Sequence, residues 1–504
     1  MQPYKCVCHI SKTEALILDL LVWTYQVNEM AKDLISHIPD EINHLIMTLM
    51  TIGDAARTSV LSRKWRNLWQ TSLISRFNVN LDTENVMGTD YSDKSFRNKS
   101  RMTNAEKRIL QNERHKFVRQ ADRILQLHRS PTVNSFRIRF DMDIDFSPVI
   151  DRWLQTAISR RAKKLDINLS EFSDFRYFNP CVTKLYTFPD WLFPKDTSFV
   201  KYLSLSHCIC RPPQDFNGFS HLIELLLETV CVTDEDIKHI LSSSSNLEQL
   251  SLINCWKLEN LVISGTNLLL KYLIVAECYS LGKIELDAIN LTKFEYLGTP
   301  VGLVFLNVPK LVNVIIYTIQ QDIVAGISYA LGTLSTDLPQ IESLLLHAET
   351  IERNMIPARM PTFGNLKLVV LMVSWVKGSL FGFFTILQTA PYLERFELHL
   401  PFERPDKKVK KARKPSVCSH LHLKEVVFSG LVGSPAEIDF ATHLVSNAEV
   451  IKTVTICSAE RTYDRLDQVF TDPIANQAAK RMKAEFVGKE IRKALPPGAE
   501  LVIK

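Results

Sequence analysis

Few of the 504 residues are cysteines, and no apolar run is long enough to cross a bilayer. Ten cysteines are far fewer than a disulfide scaffold of this size needs, so we expect reduced thiols in a globular intracellular protein. The best apolar run, residues 15–25, contains Asp19 and has about half of the roughly 20 residues that a spanning helix requires. We therefore expect no membrane span, and a weak signal-peptide core is the alternative interpretation of this run.

Motifs that carry catalytic chemistry are also missing. The sequence has no G-x-x-x-x-G-K-[ST], no G-x-G-x-x-G, no G-x-S-x-G and no H-E-x-x-H. Its thirteen histidines scatter without ligand spacing, and Cys6, Cys8 and His9 have no second ligand pair at zinc-finger distance. The sequence therefore predicts a protein that is not an enzyme and that needs no cofactor and no metal.

The segment from Asp33 to Trp69 predicts three short helices. Pro39 suits the first turn of a helix, and Gly53 is a natural stop. On that first helix the predicted apolar stripe consists of Ile42, Ile46 and Leu49, with Leu45 on its flank. Asp54 and Ser62 are suitable caps for two further helices, the second of which contains Trp65 and Trp69. A unit of about 40 residues cannot bury all of these side chains by itself, so part of its surface must face another chain or domain.

The same segment resembles the F-box, in its plant form. The resemblance is carried by Asp33-Leu34-Ile35-Ser36, by Ile38-Pro39-Asp40-Glu41-Ile42 and by residues 54–69, DAARTSVLSRKWRNLW. It implies docking to a Skp-family adaptor, and through it to a cullin, in the cytoplasm or nucleus. The adaptor-binding residues that we predict are Leu34, Ile38, Pro39, Ile42, Ile46, Arg57, Val60, Leu61, Trp65, Leu68 and Trp69. The alternative is a helical subdomain whose tryptophans form an ordinary core.

Two stretches are strongly basic. Residues 94–130 hold eleven Lys or Arg and three acids, and the pattern from Thr103 to His128 predicts an amphipathic helix. We interpret its charge as a solvated face and not as a nucleic-acid site, because no reader motif accompanies it. Residues 407–414, between Pro405 and Pro415, predict a surface loop, with a nuclear-import signal as the alternative.

Repetition organises most of the remaining chain. An L-x-L-x-x-C pattern places Cys208, Val230, Cys255 and Cys278 at intervals of 22, 25 and 23 residues, which is the range of leucine-rich repeats. We expect these small side chains to lie in the core where a strand ends, with redox or metal-binding thiols as the alternative. Half-repeat strands are predicted at 261–263, 284–286 and 294–296. Further strands are predicted at 312–316, 343–346, 368–373, 395–400, 424–428 and 453–456.

The C-terminal part resembles the FBD motif of plant F-box/leucine-rich-repeat proteins. Residues 422–430, 437–446 and 452–456 read as strand, glycine turn, helix and strand. Residues 476–493 predict a basic amphipathic helix, and 501–503 a last strand, which together would cap the repeats. Outer helices are predicted at 234–241 and 380–389.

The predicted fold class is α/β: a small three-helix F-box, then a curved leucine-rich-repeat solenoid with a parallel β-sheet. The predicted domains are a poorly ordered leader (1–30), the F-box (31–74), a linker (75–102), the solenoid (103–420) and an FBD-like region with cap (421–504). The expected function is substrate recognition in an SCF-type ubiquitin ligase, with a protein substrate that the sequence does not identify. The alternatives are a repeat scaffold without a ligase role and a basic nucleic-acid-associated protein.

Overall fold

A computed structural model describes most of the repeat region and parts of the N-terminal region. The described residues are 39–50, 55, 58, 65–67, 78–88, 103–128, 130–170, 184–193, 199–265, 267–318, 334–352, 361–377, 380–401, 420–458, 462–464, 469–471 and 477–504. Two compact units divide the chain. The first unit is Met1–Ser95 with Thr103–Val133, and the second, the repeat unit, is Phe96–Met102 with Asn134–Lys504. Among the described helices, none has the length and apolarity that crossing a membrane requires.

The described part of the first unit is mainly helical. Its elements are α1 (Asp40–Leu49), β1 (Asn78–Asp82), α2 (Thr83–Met87) and α3 (Asn104–Leu127). Residues 55, 58 and 65–67 are helical too, within the second and third predicted helices. The N–H of Glu106 donates to Thr103 Oγ1, and the N–H of Thr103 donates to the Glu106 carboxylate, so α3 begins with a capping box. The helix predicted from Thr103 is confirmed.

The repeat unit consists of short strands separated by turns and a few helices. Its helices are α4 (Ser147–Ser159), α5 (Asp234–Ser243), α6 (Phe383–Thr389), α7 (Pro435–Ser446) and α8 (Gln477–Arg492). Its strands are β2 (Ser135–Arg139), β3 (Lys164–Asn168), β4 (Tyr186–Thr187), β5 (Tyr202–Ser206), β6 (Cys208–Ile209), β7 (Glu224–Glu228), β8 (Gln249–Ile253), β9 (Asn260–Ser264), β10 (Tyr272–Ala276), β11 (Lys283–Asp287), β12 (Lys293–Gly298), β13 (Gly302–Asn307), β14 (Asn313–Thr318), β15 (Ser343–Glu352), β16 (Leu368–Lys377), β17 (Arg395–His399), β18 (Glu425–Ser429), β19 (Thr453–Cys457), β20 (Thr462–Asp464), β21 (Val469–Thr471) and β22 (Glu500–Ile503).

One parallel sheet, which we call the main sheet, organises the repeat unit. Its strands follow the order β2-β3-β5-β7-β8-β10-β12-β14-β15-β16-β17-β18-β19-β22, so each coil adds one strand beside the previous one. A smaller parallel sheet joins β9, β11 and β13. Side chains alternate between two faces of each strand, and the residues directed to the core, such as Leu225, Leu250 and Leu273, are fully buried. The predicted α/β repeat fold with a parallel sheet is confirmed.

Directly after each of the four most regular strands, one residue adopts the left-handed backbone conformation. His207, Thr229, Asn254 and Glu277 have φ values between 51° and 58°. Each of their N–H groups donates to a carbonyl of the following coil, as Asn254 does to Ala276 at 2.8 Å. The next residue in each coil is Cys208, Val230, Cys255 or Cys278, and all four are buried. The turn thus extends the sheet by one hydrogen bond while it directs a small side chain into the core, as predicted.

Gly430 occupies the equivalent turn after β18. Its φ is +72°, and a Cβ added there would lie 1.5 Å from the carbonyl oxygen of Leu400. Only glycine avoids that overlap, because it has no Cβ. The predicted sequence of strand, glycine turn, helix and strand is therefore present as β18, Gly430, α7 and β19.

The end of the chain covers the last coil. Strand β22 pairs in parallel with β19, and α8 contacts α7, β19 and β22. The predicted cap is therefore present. One strand prediction is wrong: residues 294–296 belong to the main sheet as β12, and β13 is the third strand of the smaller sheet. Period-two patterns mark a strand but do not show which sheet it joins. The domain limits stay predictions, and α3 lies in the first unit.

Candidate functional sites on the two units

Helix α1 contributes to a small core in the first unit. Met47 is fully buried, Trp65 is 5% exposed, and both cluster with Ala55. Ile46 and Met50 pack against this cluster while they remain half-buried. The hydroxyl of Thr58 donates to the Ala55 carbonyl at 2.7 Å. This arrangement holds the described helical residues together with very few apolar side chains.

The same helix leaves two large apolar side chains in solvent. Ile42 is 47% exposed and Leu45 is 56% exposed, whereas Asn43 is fully buried. The predicted stripe of Ile42 and Ile46 is therefore only partly directed inward, and the buried face contains Asn43 and Met47 instead. A sequence pattern cannot decide between these two faces because apolar residues occur on both. An exposed apolar pair at i and i+3 is the form of anchor with which a helix binds a groove.

The structure describes four of the eleven predicted adaptor-binding residues. Pro39 and Ile42 are exposed, Ile46 is half-buried and Trp65 is buried. The other seven lie outside the described residues: Leu34, Ile38, Arg57, Val60, Leu61, Leu68 and Trp69. The adaptor-binding set as a whole stays a prediction. Leu45 was not in it, although its place three residues after Ile42 was a signal.

The second face of the main sheet, opposite the core, begins with charged residues. Asp166 accepts from Arg137 at 2.7 Å and lies 3.5 Å from the guanidinium of Arg139. Two coils along, the hydroxyl of Ser206 donates to Glu228 at 3.3 Å. Burial raises the pKa of Glu228, although the Ser206 hydroxyl and the charge of Arg139 act in the opposite direction.

Further along, the second face becomes apolar. Leu345, Val370 and Met372 form a cluster of their own, against which Ile315 and Leu368 pack. The rings of Tyr317 and His347, on neighbouring strands, stack with centroids 3.5 Å apart and planes 3° from parallel. Leu345, Val370, Met372 and His347 are buried, whereas Ile315 and Tyr317 remain half-exposed, so only part of this apolar and aromatic stretch reaches solvent.

A buried polar network crosses β17 and β18. His399 contacts Ser429 Oγ through Nδ1 at 2.8 Å and Glu397 through Nε2 at 3.1 Å, and Arg395 lies 2.6 Å from Glu397. Burial acts to raise the pKa of Glu397, but the hydrogen bond from His399 and the charge of Arg395 outweigh it, so the pKa is lowered. The serine, histidine and carboxylate are hydrogen-bonded in the same sequence as in the catalytic triad of serine hydrolases. Ser429 is fully buried, however, so no substrate carbonyl can reach it. We assign this network a structural role.

The cysteines of the repeats are core residues in this structure. Burial, together with the neighbouring Cys210 and Cys231, raises the pKa of Cys208 well above its usual value. The pKa of Cys255 is raised by its hydrogen bond with Cys278 and by burial. Reactive thiols need the opposite environment. Within the described residues, no group of three or more His, Cys, Asp or Glu side chains is arranged to hold a metal.

Comparison with known families matches both units. An F-box domain model matches residues 35–76, and the model described as At1g61320/AtMIF1, LRR domain, matches residues 124–497. The latter match covers well over half of the chain. The chain belongs to the plant F-box/leucine-rich-repeat family.

Several curated proteins that are similar to this chain come from Arabidopsis thaliana. The F-box/FBD/LRR-repeat protein At1g13570 is 31% identical over 241 residues, which are 48% of this chain and 49% of that protein. The F-box protein At5g03100 is 26% identical over 54% of this chain and 73% of its own length. The F-box/LRR-repeat protein At3g03360 is 29% identical over 49% of this chain and 44% of its own. The similarity thus spans about half the length of two of these relatives.

Proposed function

We infer that this chain is a substrate-recognition subunit of an SCF-type, cullin-RING ubiquitin ligase. It has no catalytic role, docks to a Skp-family adaptor through the F-box, and reaches the cullin through that adaptor. The observation that carries this proposal is the F-box match at residues 35–76, whose helix α1 exposes Ile42 and Leu45 while Met47 and Trp65 form its core. Apolar side chains that a unit leaves in solvent are the usual anchors of an interface.

The second half of the function is substrate binding by the repeat unit. We place the protein substrate on the second face of the main sheet, where the exposed or half-exposed side chains include Arg139, Leu226 and Ile315. Such a receptor raises the effective concentration of its substrate near the ubiquitin donor and needs no chemistry of its own. Because the proposed partners act there, we propose that the protein is cytoplasmic, nuclear or both.

Adaptor binding tests the first half directly. Ile42→Asp removes an exposed anchor near the start of α1, where a carboxylate suits the helix, so folding is expected to survive. We expect binding to a purified Skp-family adaptor, measured by calorimetry, to weaken at least about tenfold, which corresponds to roughly 1.4 kcal/mol. Ile289→Asp is the matched control because Ile289 is 42% exposed on the repeat unit. Equal affinity of the two variants would remove the docking assignment.

Purification followed by mass spectrometry distinguishes the two alternative functions from the proposed one. A repeat scaffold without a ligase role would bring neither adaptor nor cullin. A nucleic-acid-associated protein would show salt-dependent retention of DNA or RNA that is lost when residues 94–130 are neutralised. Replacing Trp65 would be a poor test of docking, because this side chain is buried and its loss would disturb the fold of the unit.

A further inference from the structure

A row of residues precedes the strands along one rim of the main sheet. In these coils a backbone carbonyl accepts two N–H groups of the next coil, as the Glu248 carbonyl does from Lys271 at 2.8 Å and Tyr272 at 3.0 Å. The last such carbonyl, that of Lys452, accepts one, from Glu500 at 2.8 Å. We call this the rim row, and its members are Asn134, Lys163, Lys201, Ile223, Glu248, Lys271, Thr292, Val312, Glu342, Lys367, Glu394, Lys424 and Lys452. The repeated backbone pattern places equivalent side chains beside one another.

Opposite charges meet at three places in the rim row. The ammonium group of Lys271 lies 2.9 Å from Glu248, that of Lys367 lies 3.0 Å from Glu342, and that of Lys424 lies 3.1 Å from Glu394. Neighbours in this row are therefore close enough for their charges to neutralise each other.

Lysines are adjacent at both ends of the rim row, but at the C-terminal end Lys424, beside Lys452, is neutralised by Glu394. The N-terminal pair has no acidic neighbour in the row. The Lys163 carbonyl accepts from Lys201 at 2.8 Å and from Tyr202 at 3.1 Å, so Lys163 and Lys201 occupy equivalent places to a Glu–Lys pair. Their other neighbours in the row are Asn134 and Ile223, which carry no charge. Both lysines are exposed, and neither forms an ion pair within the described part of the chain. Two like charges in this position repel each other unless an anion binds between them.

Two more cations and two aromatic rings adjoin this pair. Lys164 is exposed and lies opposite Tyr202 in the register of β3 and β5. The guanidinium of Arg161 lies 4.9 Å from the centre of the exposed Phe199 ring. We call the set the lysine rim: Arg161, Lys163, Lys164, Phe199, Lys201 and Tyr202. It offers four cations beside apolar surface, which is the composition that binds carboxylates on a peptide.

The surroundings limit the length of an anion that fits. The next strand places Glu224 beside Tyr202, and the next charged member of the rim row is Glu248. Neighbouring strands lie about 5 Å apart. A continuous phosphate backbone that followed the rim would therefore meet carboxylates within a distance of two strands. An extended peptide separates side chains two residues apart by about 6–7 Å, so two or three of its acids span the lysine rim.

We propose that the lysine rim binds a short acidic segment of a partner protein, in which aspartate or glutamate alternates with other residues. The proposal does not depend on docking to a ligase adaptor, because every residue of the lysine rim belongs to the repeat unit. It adds a specificity element at the rim, next to the second face of the main sheet where the bulk of the substrate is placed and to which Lys164 and Tyr202 belong.

Binding of a fluorescein-labelled deca-glutamate peptide to the full chain, followed by fluorescence anisotropy at low salt, tests the proposal. The informative variant is Lys163→Glu, because it converts the like-charged pair into a Glu–Lys pair of the kind seen at Glu248 and Lys271. We expect the peptide affinity to fall at least about tenfold while the melting temperature stays the same or rises slightly. Lys201→Gln, which only removes a charge, should give a smaller loss.

Lys452→Glu is the control, since it makes the same charge change in the same row at the other end of the sheet. It should change the peptide affinity less than about twofold, and Ile42→Asp should not change it at all. The proposal is overturned if Lys452→Glu and Lys163→Glu weaken binding equally, if the wild-type chain binds deca-glutamine as well as deca-glutamate, or if an oligothymidine of ten nucleotides binds more tightly than deca-glutamate.

Discussion

The F-box helix and the repeat unit bury their apolar side chains in different ways. The described core of the F-box consists of Met47, Ala55 and Trp65, and its helix leaves Ile42 and Leu45 in solvent. In the repeat unit, a residue such as Leu250 is covered by the equivalent leucines of the coils before and after it. A repeat array thus completes its core from its own neighbouring coils, whereas the F-box helix leaves Ile42 and Leu45 exposed, which is the surface that we propose for adaptor docking.

The largest expected effect concerns the close spacing of the coils, which has no counterpart among the described residues of the F-box. Gly430→Ala would force a Cβ against the Leu400 carbonyl at a positive φ, so we expect the free energy of unfolding to fall by about 4 kcal/mol or more. Gly498→Ala is the control, because its φ is +91° but the added Cβ meets no described atom within 4 Å. It should cost about 1–2 kcal/mol. Urea unfolding of the full chain measures both, and equal losses would contradict the spacing argument.

Truncation of one buried side chain in each unit tests the comparison itself. Leu250→Ala removes a side chain enclosed by two coils and should lower the free energy of unfolding by about 3 kcal/mol or more. Met47→Ala, in the three-residue cluster, should cost about 2 kcal/mol and loosen only the first unit.

Hydrogen exchange with mass spectrometry distinguishes the two results. Met47→Ala should reduce protection of α1 and leave β8 protected, whereas Leu250→Ala should reduce protection of β8 and its neighbouring strands. If Met47→Ala also exposed β8, the two units would not have separate cores, and the comparison would fail.

The smallest expected effect is a pH dependence of the stability of the repeat unit. Burial, with the nearby charge of His443, lowers the pKa of His420 below its usual 6.5. The unfolded chain therefore takes up a proton first as the pH falls, and stability is lost from about pH 6.5 down through the lowered folded pKa. The slope for one proton is at most about 1.4 kcal/mol per pH unit.

His420→Phe should remove this part of the acid sensitivity, because the apolar ring can stack on Phe384 without taking up a proton. His422→Phe is the control, since His422 is exposed two residues further along. Thermal unfolding followed between pH 7.5 and about pH 5.5 compares the variants. An unchanged slope in His420→Phe would show that another group causes the acid sensitivity.

Strand positions were the most predictable part of the fold. Each pair of apolar residues two positions apart, such as Leu203 and Leu205, marks a strand that buries one face, and the spacing of Cys255 and Cys278 marks one coil. The turn after these strands was also predictable, because only a small side chain fits there and Cys or Val recurs at that position. The membership of β12 in the main sheet was not, since a period-two pattern is the same in both sheets.

The candidate sites were less predictable. The F-box motif located the segment that we propose for docking, but apolar residues occur on both faces of α1, and only the tertiary structure shows that Leu45 is exposed and Asn43 buried. The network of Glu397, His399 and Ser429 was not foreseen, because its members come from two coils and no local motif joins them.

By itself, therefore, the sequence determined the repeat architecture, the F-box and the absence of known catalytic motifs, because these depend on patterns among residues close together in the chain. Only the tertiary structure decided which side chains from different coils meet. Lys163 and Lys201 are neighbours because β3 and β5 pair in one register, and the intervening coil conceals that relation in the sequence. Pairing across coils depends on the length and path of each connection, which local apolar periodicity does not encode.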